Sequence, residues 1–186
     1  MSPDAQLRKH GVAVPSWHLI NWISHLPILE TSRFDWPDEA ACERFAQALS
    51  RQPGLFTACI ELHGGLGAGK TTFVRHLLRA LGVTGRIKSP SYAVLETYEL
   101  PSGIVSHFDF FRFNNPQEWE DAGFREIFSD PGLKLCEWPE KAAGVLPEPE
   151  LRMHIDVQSD DSRRLRVEAL TPAGQVLLRG LKGLEA

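Results

Sequence analysis

Residues 55–71 read Leu55-Phe56-Thr57-Ala58-Cys59-Ile60-Glu61-Leu62-His63, then Gly64-Gly65-Leu66-Gly67-Ala68-Gly69-Lys70-Thr71. The first part, 55–62, is a short apolar run rich in strand formers, closed by His63, Gly64 and Gly65. Beyond Thr71, the spacing of Phe73, Val74, Leu77, Leu78 and Leu81 predicts a helix, which Gly82 ends. Strand, glycine loop and helix in that order point to a loop that holds phosphate. Glycines let the backbone wrap closely around an anion, and the helix N-terminus turns its N–H groups and its dipole towards it. In such a loop Lys70 reaches the β- and γ-phosphate oxygens and the Thr71 hydroxyl ligates magnesium. Every fixed position of the pattern is filled, a match that arises by chance in roughly one chain in a hundred of this length. The strand and helix on either side make accident rarer still.

Upstream, Asp35, Pro37, Asp38 and Glu39 supply helix-start chemistry for a helix running to Ser50, and Pro53-Gly54 ends it. Downstream, 85–92 reads as a polar loop, and 93–100 and 104–110 as two strands joined through Pro101, Ser102 and Gly103. That hairpin makes the sheet mixed. Asn115 and Pro116 start a short helix to about Phe124; 133–137 is a compact strand; 151–157, 165–170 and 175–181 read as terminal strands. The expected fold is α/β: a single P-loop NTPase-like domain, 35–186, with a central mixed parallel/antiparallel sheet flanked by helices. Residues 1–34 mix Pro, His, Trp and Ser without a sustained period and read as an N-terminal extension.

The 186 residues, 42% hydrophobic, suffice for one packed core. A net charge of -4 and a pI near 6.0 argue against a broad nucleic-acid platform. Cys42, Cys59 and Cys136 are odd in number and widely spaced, which suits buried free thiols rather than a disulfide set or a zinc site. No stretch approaches the ~20 apolar residues of a membrane span. The segment 11–29 is interrupted by Pro15, His18, Asn21 and His25, and no small-residue cleavage pattern follows. A cytoplasmic protein without a membrane partner is expected.

A phosphate loop needs an acidic partner for its metal at a neighbouring strand end, and Asp109 and Glu137 each close a short apolar strand. They read as a pair for metal and attacking water, and the residues leave open which is the direct ligand. Trp138 and Pro139 follow Glu137 and can fix its angle. His107 shares a strand face with Asp109 and serves either to orient that carboxylate or as a satisfied core histidine. Arg112 stands where it can meet phosphate or Asp109. The stretch Lys88-Ser89-Pro90-Ser91-Tyr92 is hydroxyl-rich and stiffened by proline, as a γ-phosphate-sensing loop or a plain connection would be; Ser89, Ser91 and Tyr92 are its candidates. These residues fit an ATPase coupled to a partner, a small-molecule kinase, or a nucleotide-dependent binding module. A GTPase is disfavoured, because no Asn-Lys-x-Asp or Asp-x-x-Gly motif is present.

Taken together, Leu66-Gly67-Ala68-Gly69-Lys70-Thr71-Thr72-Phe73, Lys88-Ser89-Pro90-Ser91-Tyr92, His107-Phe108-Asp109 with Arg112, and Glu137-Trp138-Pro139 resemble the TsaE family, formerly YjeE. The resemblance runs from about Trp36 to the C-terminus. It implies an ATPase of bacterial tRNA threonylcarbamoyladenosine synthesis that uses Mg2+, turns ATP into ADP, works slowly alone, and acts through a TsaB–TsaD complex, meeting tRNA only through it. It also implies that Gly64 to Thr72 bind the nucleotide, with Lys70, Thr71 and Thr72 on phosphate and magnesium. Asp109 and Glu137 would then serve metal and water, Trp138 would support Glu137, and Arg163 would lie near the nucleotide. The chain departs from the family at Gly65 and Phe111, where Asp and Tyr are usual, and at Ser91, which keeps the hydroxyl of the usual Thr.

Overall fold

The structure, a computed structural model, describes residues 27–115 and 117–184. Its elements are β1 (Glu30–Trp36), α1 (Glu39–Ser50), β2 (Cys59–His63), α2 (Lys70–Ala80), β3 (Leu95–Leu100), β4 (Gly103–Asp109), α3 (Gln117–Asp121), α4 (Phe124–Ser129), β5 (Leu133–Glu137), β6 (Leu151–Val157), β7 (Arg163–Ala169) and α5 (Pro172–Arg179). The strands form one seven-stranded sheet in the order β1-β7-β6-β2-β5-β4-β3. β6, β2, β5 and β4 run parallel, while β3 at one edge and β7 with β1 at the other are antiparallel to their neighbours. This is the mixed α/β sheet flanked by helices that the sequence predicts.

Cys59, Ile60, Glu61 and Leu62 of β2 are all buried, as a central parallel strand covered on both faces requires. Ile60 and Leu62 join Phe34, Phe45, Phe73 and Leu77 in the core under α1 and α2. Cys59, on the opposite face, packs with Phe108, Phe110, Trp119, Phe124 and Cys136. α1 begins where the Asp38 carboxylate accepts a hydrogen bond from Ala41 N at 2.8 Å. The register that matters for function sets Asp109 opposite Glu137, and Glu137 opposite Leu62. Both carboxylates therefore sit on the edge of the sheet from which the glycine loop leaves β2.

Four sequence expectations need adjustment. Residues 55–57 form a 3-10 turn before β2 rather than its first residues. The 115–124 helix is two short helices, α3 and α4, divided at Gly123 with φ +72; Pro116 lies outside the described residues. Residues 30–34 enter the sheet as part of β1, whose alternation of exposed Thr31, Arg33 and Asp35 with buried Ser32, Phe34 and Trp36 carries only two large apolar residues. The rest of the segment read as an extension, 1–26, lies outside the described residues. Finally, 175–181 is not a strand. The Thr171 side chain accepts from Gly174 N at 3.1 Å and Pro172 opens the first turn, so α5 forms and buries Gly174, Leu177 and Leu178 on one face. Cys42, Cys59 and Cys136 are free and buried. Among the described residues no helix is long and apolar enough to cross a membrane.

Candidate functional site

The loop between β2 and α2 keeps its shape through glycines at 64, 67 and 69, with φ of +145, +76 and +109. At Gly64 a Cβ would stand 2.6 Å from the Ile155 carbonyl oxygen, so the absent side chain is also what lets the loop leave β2 against β6. At Gly67 and Gly69 a Cβ would meet nothing within 4 Å, and only the backbone conformation asks for glycine. Gly69 passes directly into α2, whose first turn closes with Phe73 N donating to Gly69 O at 2.9 Å. Lys70 is 4% exposed, and its Nζ donates to Gly64 O at 2.5 Å and Gly65 O at 3.0 Å. The ammonium also lies 3.7 Å from the centre of the Trp138 ring. Burial lowers its pKa from the ordinary lysine value, opposed by the Glu137, Glu140 and Asp109 carboxylates.

Glu137 is 2% exposed and its two oxygens are divided between two partners. Thr71 Oγ1 donates to Oε2 at 2.8 Å, and His107 Nε2 stands 2.9 Å from Oε1. The buried His107 Nδ1 has no hydrogen-bond partner among the described residues. Asp109 is 3% exposed; Oδ2 accepts from Ser91 Oγ at 2.9 Å and from Ser89 Oγ, and Oδ1 accepts from Phe111 N at 3.0 Å. The structure thus brings Ser89 and Ser91 onto Asp109. It sends His107 to Glu137 rather than to its strand neighbour Asp109. Arg112 stacks over the ring of Tyr92 at 4.2 Å, and its described contact is with that ring and not with Asp109. Trp138, in the left-handed region at φ +58, turns its ring onto Lys70 and, 5.0 Å between centroids, onto Phe111.

On the opposite side of the loop, Arg163 at the start of β7 donates through Nε to Ala68 O at 3.1 Å and through Nη2 to Gly67 O at 3.5 Å. Beside it opens a cavity of about 180 Å³ lined by Trp36, Asp38, Glu39, Thr72, Asp161 and Arg163, among others. The sequence reading missed Trp36, Asp38, Glu39 and Asp161. Asp38 and Glu39 read only as helix-start residues, and nothing in the spacing of Asp161 ties it to residues some ninety positions earlier.

Whether these groups suit magnesium and a nucleotide is a question of donor chemistry. Two buried carboxylates and the Thr71 hydroxyl are hard oxygen donors, the set magnesium takes. No group of three His, Cys, Asp or Glu able to hold a metal occurs among the described residues. A magnesium ion in a phosphate loop needs only one or two carboxylates besides substrate oxygens. The residues fit.

The chain matches the family model described as threonylcarbamoyl adenosine biosynthesis protein TsaE over residues 36–165. A Haemophilus influenzae protein named tRNA threonylcarbamoyladenosine biosynthesis protein TsaE is 36% identical over 146 residues, covering 76% of this chain and 92% of that protein. The Bacillus subtilis protein of the same name is 31% identical over 134 residues, covering 72% and 82%. Among solved structures, Bacillus subtilis YdiB superposes with a TM-score of 0.68 at 23% identity, covering 83% of this chain and 95% of that one, and so shares the fold.

Proposed function

The chain belongs to the TsaE family, and from that premise we propose that it is a magnesium-dependent ATPase that hydrolyses ATP to ADP and phosphate. It supports tRNA N6-threonylcarbamoyladenosine modification in the cytoplasm through a TsaB–TsaD complex, and meets tRNA only through that complex. The observation that carries this reading is the chain of contacts from Thr71 to Glu137 to His107 beside the Lys70 ammonium, at the mouth of a strand-loop-helix unit.

The loop from Gly64 to Thr72 receives the phosphates on its N–H groups and on Lys70, and the cavity past Thr72 and Arg163 gives the adenosine room. Arg163 holds the loop by its Ala68 and Gly67 carbonyls. Thr71 with Asp109 and Glu137 would hold magnesium, which when bound neutralises charge on the phosphate oxygens. Glu137, its far oxygen held by His107, would orient the attacking water and accept its proton.

Slow turnover without partners is what the family relationship implies, and the groups that would meet substrate are already engaged with one another. Lys70 bonds the loop's own carbonyls, Thr71 is spent on Glu137, and Asp109 is tied to Ser89 and Ser91. Each contact must be exchanged before the groups face substrate together. The test is magnesium-dependent phosphate release from ATP and from GTP, with and without a TsaB–TsaD preparation. Stimulation confined to ATP and lost in Lys70→Ala is expected; stimulated hydrolysis that survives Glu137→Ala would remove Glu137 from the role given to it.

A further inference from the structure

We propose that the groove between the 86–92 loop and β3 is the docking site for an acidic segment of the protein partner, coupled to the nucleotide site through Ser89 and Ser91. The inference rests on the partner reading above and goes beyond it by assigning the surface and its chemistry. The groove encloses about 270 Å³, and Arg86, Lys88, Tyr92, Glu96 and Tyr98 are among its lining residues.

The charge is the first argument. Arg86 and Lys88 are exposed, and the Arg112 guanidinium lies over the Tyr92 ring. Glu96 is the one carboxylate among the lining residues, on a chain whose net charge is -4. Such a cluster attracts an acidic segment and steers its encounter. Shape is the second. Tyr92 is 88% exposed, yet it is stacked rather than free, and Tyr and Arg are the side chains that anchor protein interfaces. The loop is held at both ends before anything binds. Arg79 donates to Val83 O and Gly85 O, and Val94, at φ +67, closes back on Pro90 O at 2.5 Å. A wall fixed in advance costs little ordering on binding.

A peptide fits better than RNA. Nucleic-acid binding is carried by many Lys and Arg contacts to phosphate, and this patch offers only Arg86, Lys88 and Arg112, with Glu96 and Glu99 on the neighbouring strand. Coupling arises because the opposite side of the same short loop bonds Asp109 through Ser89 and Ser91. A segment that shifts the loop changes those bonds, and nucleotide that engages Asp109 changes the groove by the same factor.

The experiment titrates the full chain, wild type and variant, with a TsaB–TsaD preparation at low and high salt. Arg86→Glu combined with Lys88→Glu is expected to weaken binding at least tenfold at low salt, with the difference shrinking at high salt. Glu96→Lys is expected to tighten binding several-fold, a gain that misfolding cannot produce. ATP binding by the free chain is expected to stay unchanged in Arg86→Glu and in Glu96→Lys. Equal affinity of TsaB–TsaD for all forms overturns the docking site and leaves the partner reading intact; no binding to any form overturns both. Binding of tRNA by the isolated wild-type chain that is lost in Arg86→Glu overturns the peptide in favour of RNA.

Discussion

Two adjacent glycines should respond oppositely to alanine. At Gly64 the added Cβ meets Ile155 O at 2.6 Å and Ala68 Cβ at 3.1 Å, and φ of +145 is a conformation that L residues rarely adopt. The opposing atom is backbone within β6, so it cannot swing aside as a side chain would. Backbone strain of about 1–3 kcal/mol and overpacking of about 1–3 kcal/mol together give about 2–6 kcal/mol of destabilisation. At roughly 2–4 °C per kcal/mol for a domain of this size, Gly64→Ala should lower Tm by about 4–24 °C. Gly65 has no positive φ and nothing within 4 Å of a Cβ, so Gly65→Ala should hold Tm or raise it slightly through the less flexible unfolded chain. The assay is thermal unfolding of both variants beside wild type without nucleotide. A Gly64→Ala protein melting within about 2 °C of wild type would refute the claim that the loop's exit from β2 is fixed by this contact.

Three further outcomes are expected. Thr171→Ala removes the cap of α5 and should cost about 1 kcal/mol, read as a Tm loss of about 2–4 °C, while Thr171→Ser should recover most of it. Ser91→Ala takes one donor from buried Asp109 and should lower urea stability by about 1–2 kcal/mol, with Ser91→Thr near wild type; equal loss in both would deny the hydroxyl its part. His154 is held down to about 4 by burial first, then by Arg166, His63 and Arg152, against an ordinary 6.5. The unfolded imidazole therefore binds its proton first as pH falls. This contribution to stability is complete above about 6.5 and is lost towards pH 4, and His154→Gln should flatten the melting profile across that window.

The parts of the fold legible in sequence are those where local chemistry and burial agree. The loop and α2 combine glycines with a clear helical period, and β5 matches its expected span residue for residue. The segment 175–181 shows the opposite case. Val176, Leu177, Leu178 and Leu181 form too short a run for periodicity to separate strand from helix, and the deciding signal, Thr171-Pro172, lies before it. β1 stayed hidden because its partner is β7, at the far end of the chain, and only two of its inward side chains are large and apolar. In the site, strand ends pointed to Asp109 and Glu137, but no alternation rule says that His107 reaches across to Glu137. That contact depends on the β4–β5 register, which only pairing reveals.

The pairing of Glu30 with Ala169 has a consequence for how the protein is made. At a synthesis rate of about 5–20 residues per second, β1 leaves the ribosome roughly seven to twenty-seven seconds before its sheet neighbour β7 exists. β2 likewise waits for β5 and β6, so the phosphate loop's strand has no flanking partner until most of the chain is out. Through that interval Phe34 and Trp36 have at most the early helices α1 and α2 to pack on, through Phe45 and Phe73, and no sheet to complete their cover. Truncated or stalled products of this chain should therefore be chaperone-bound and unable to hold nucleotide, even when the whole glycine loop has been translated.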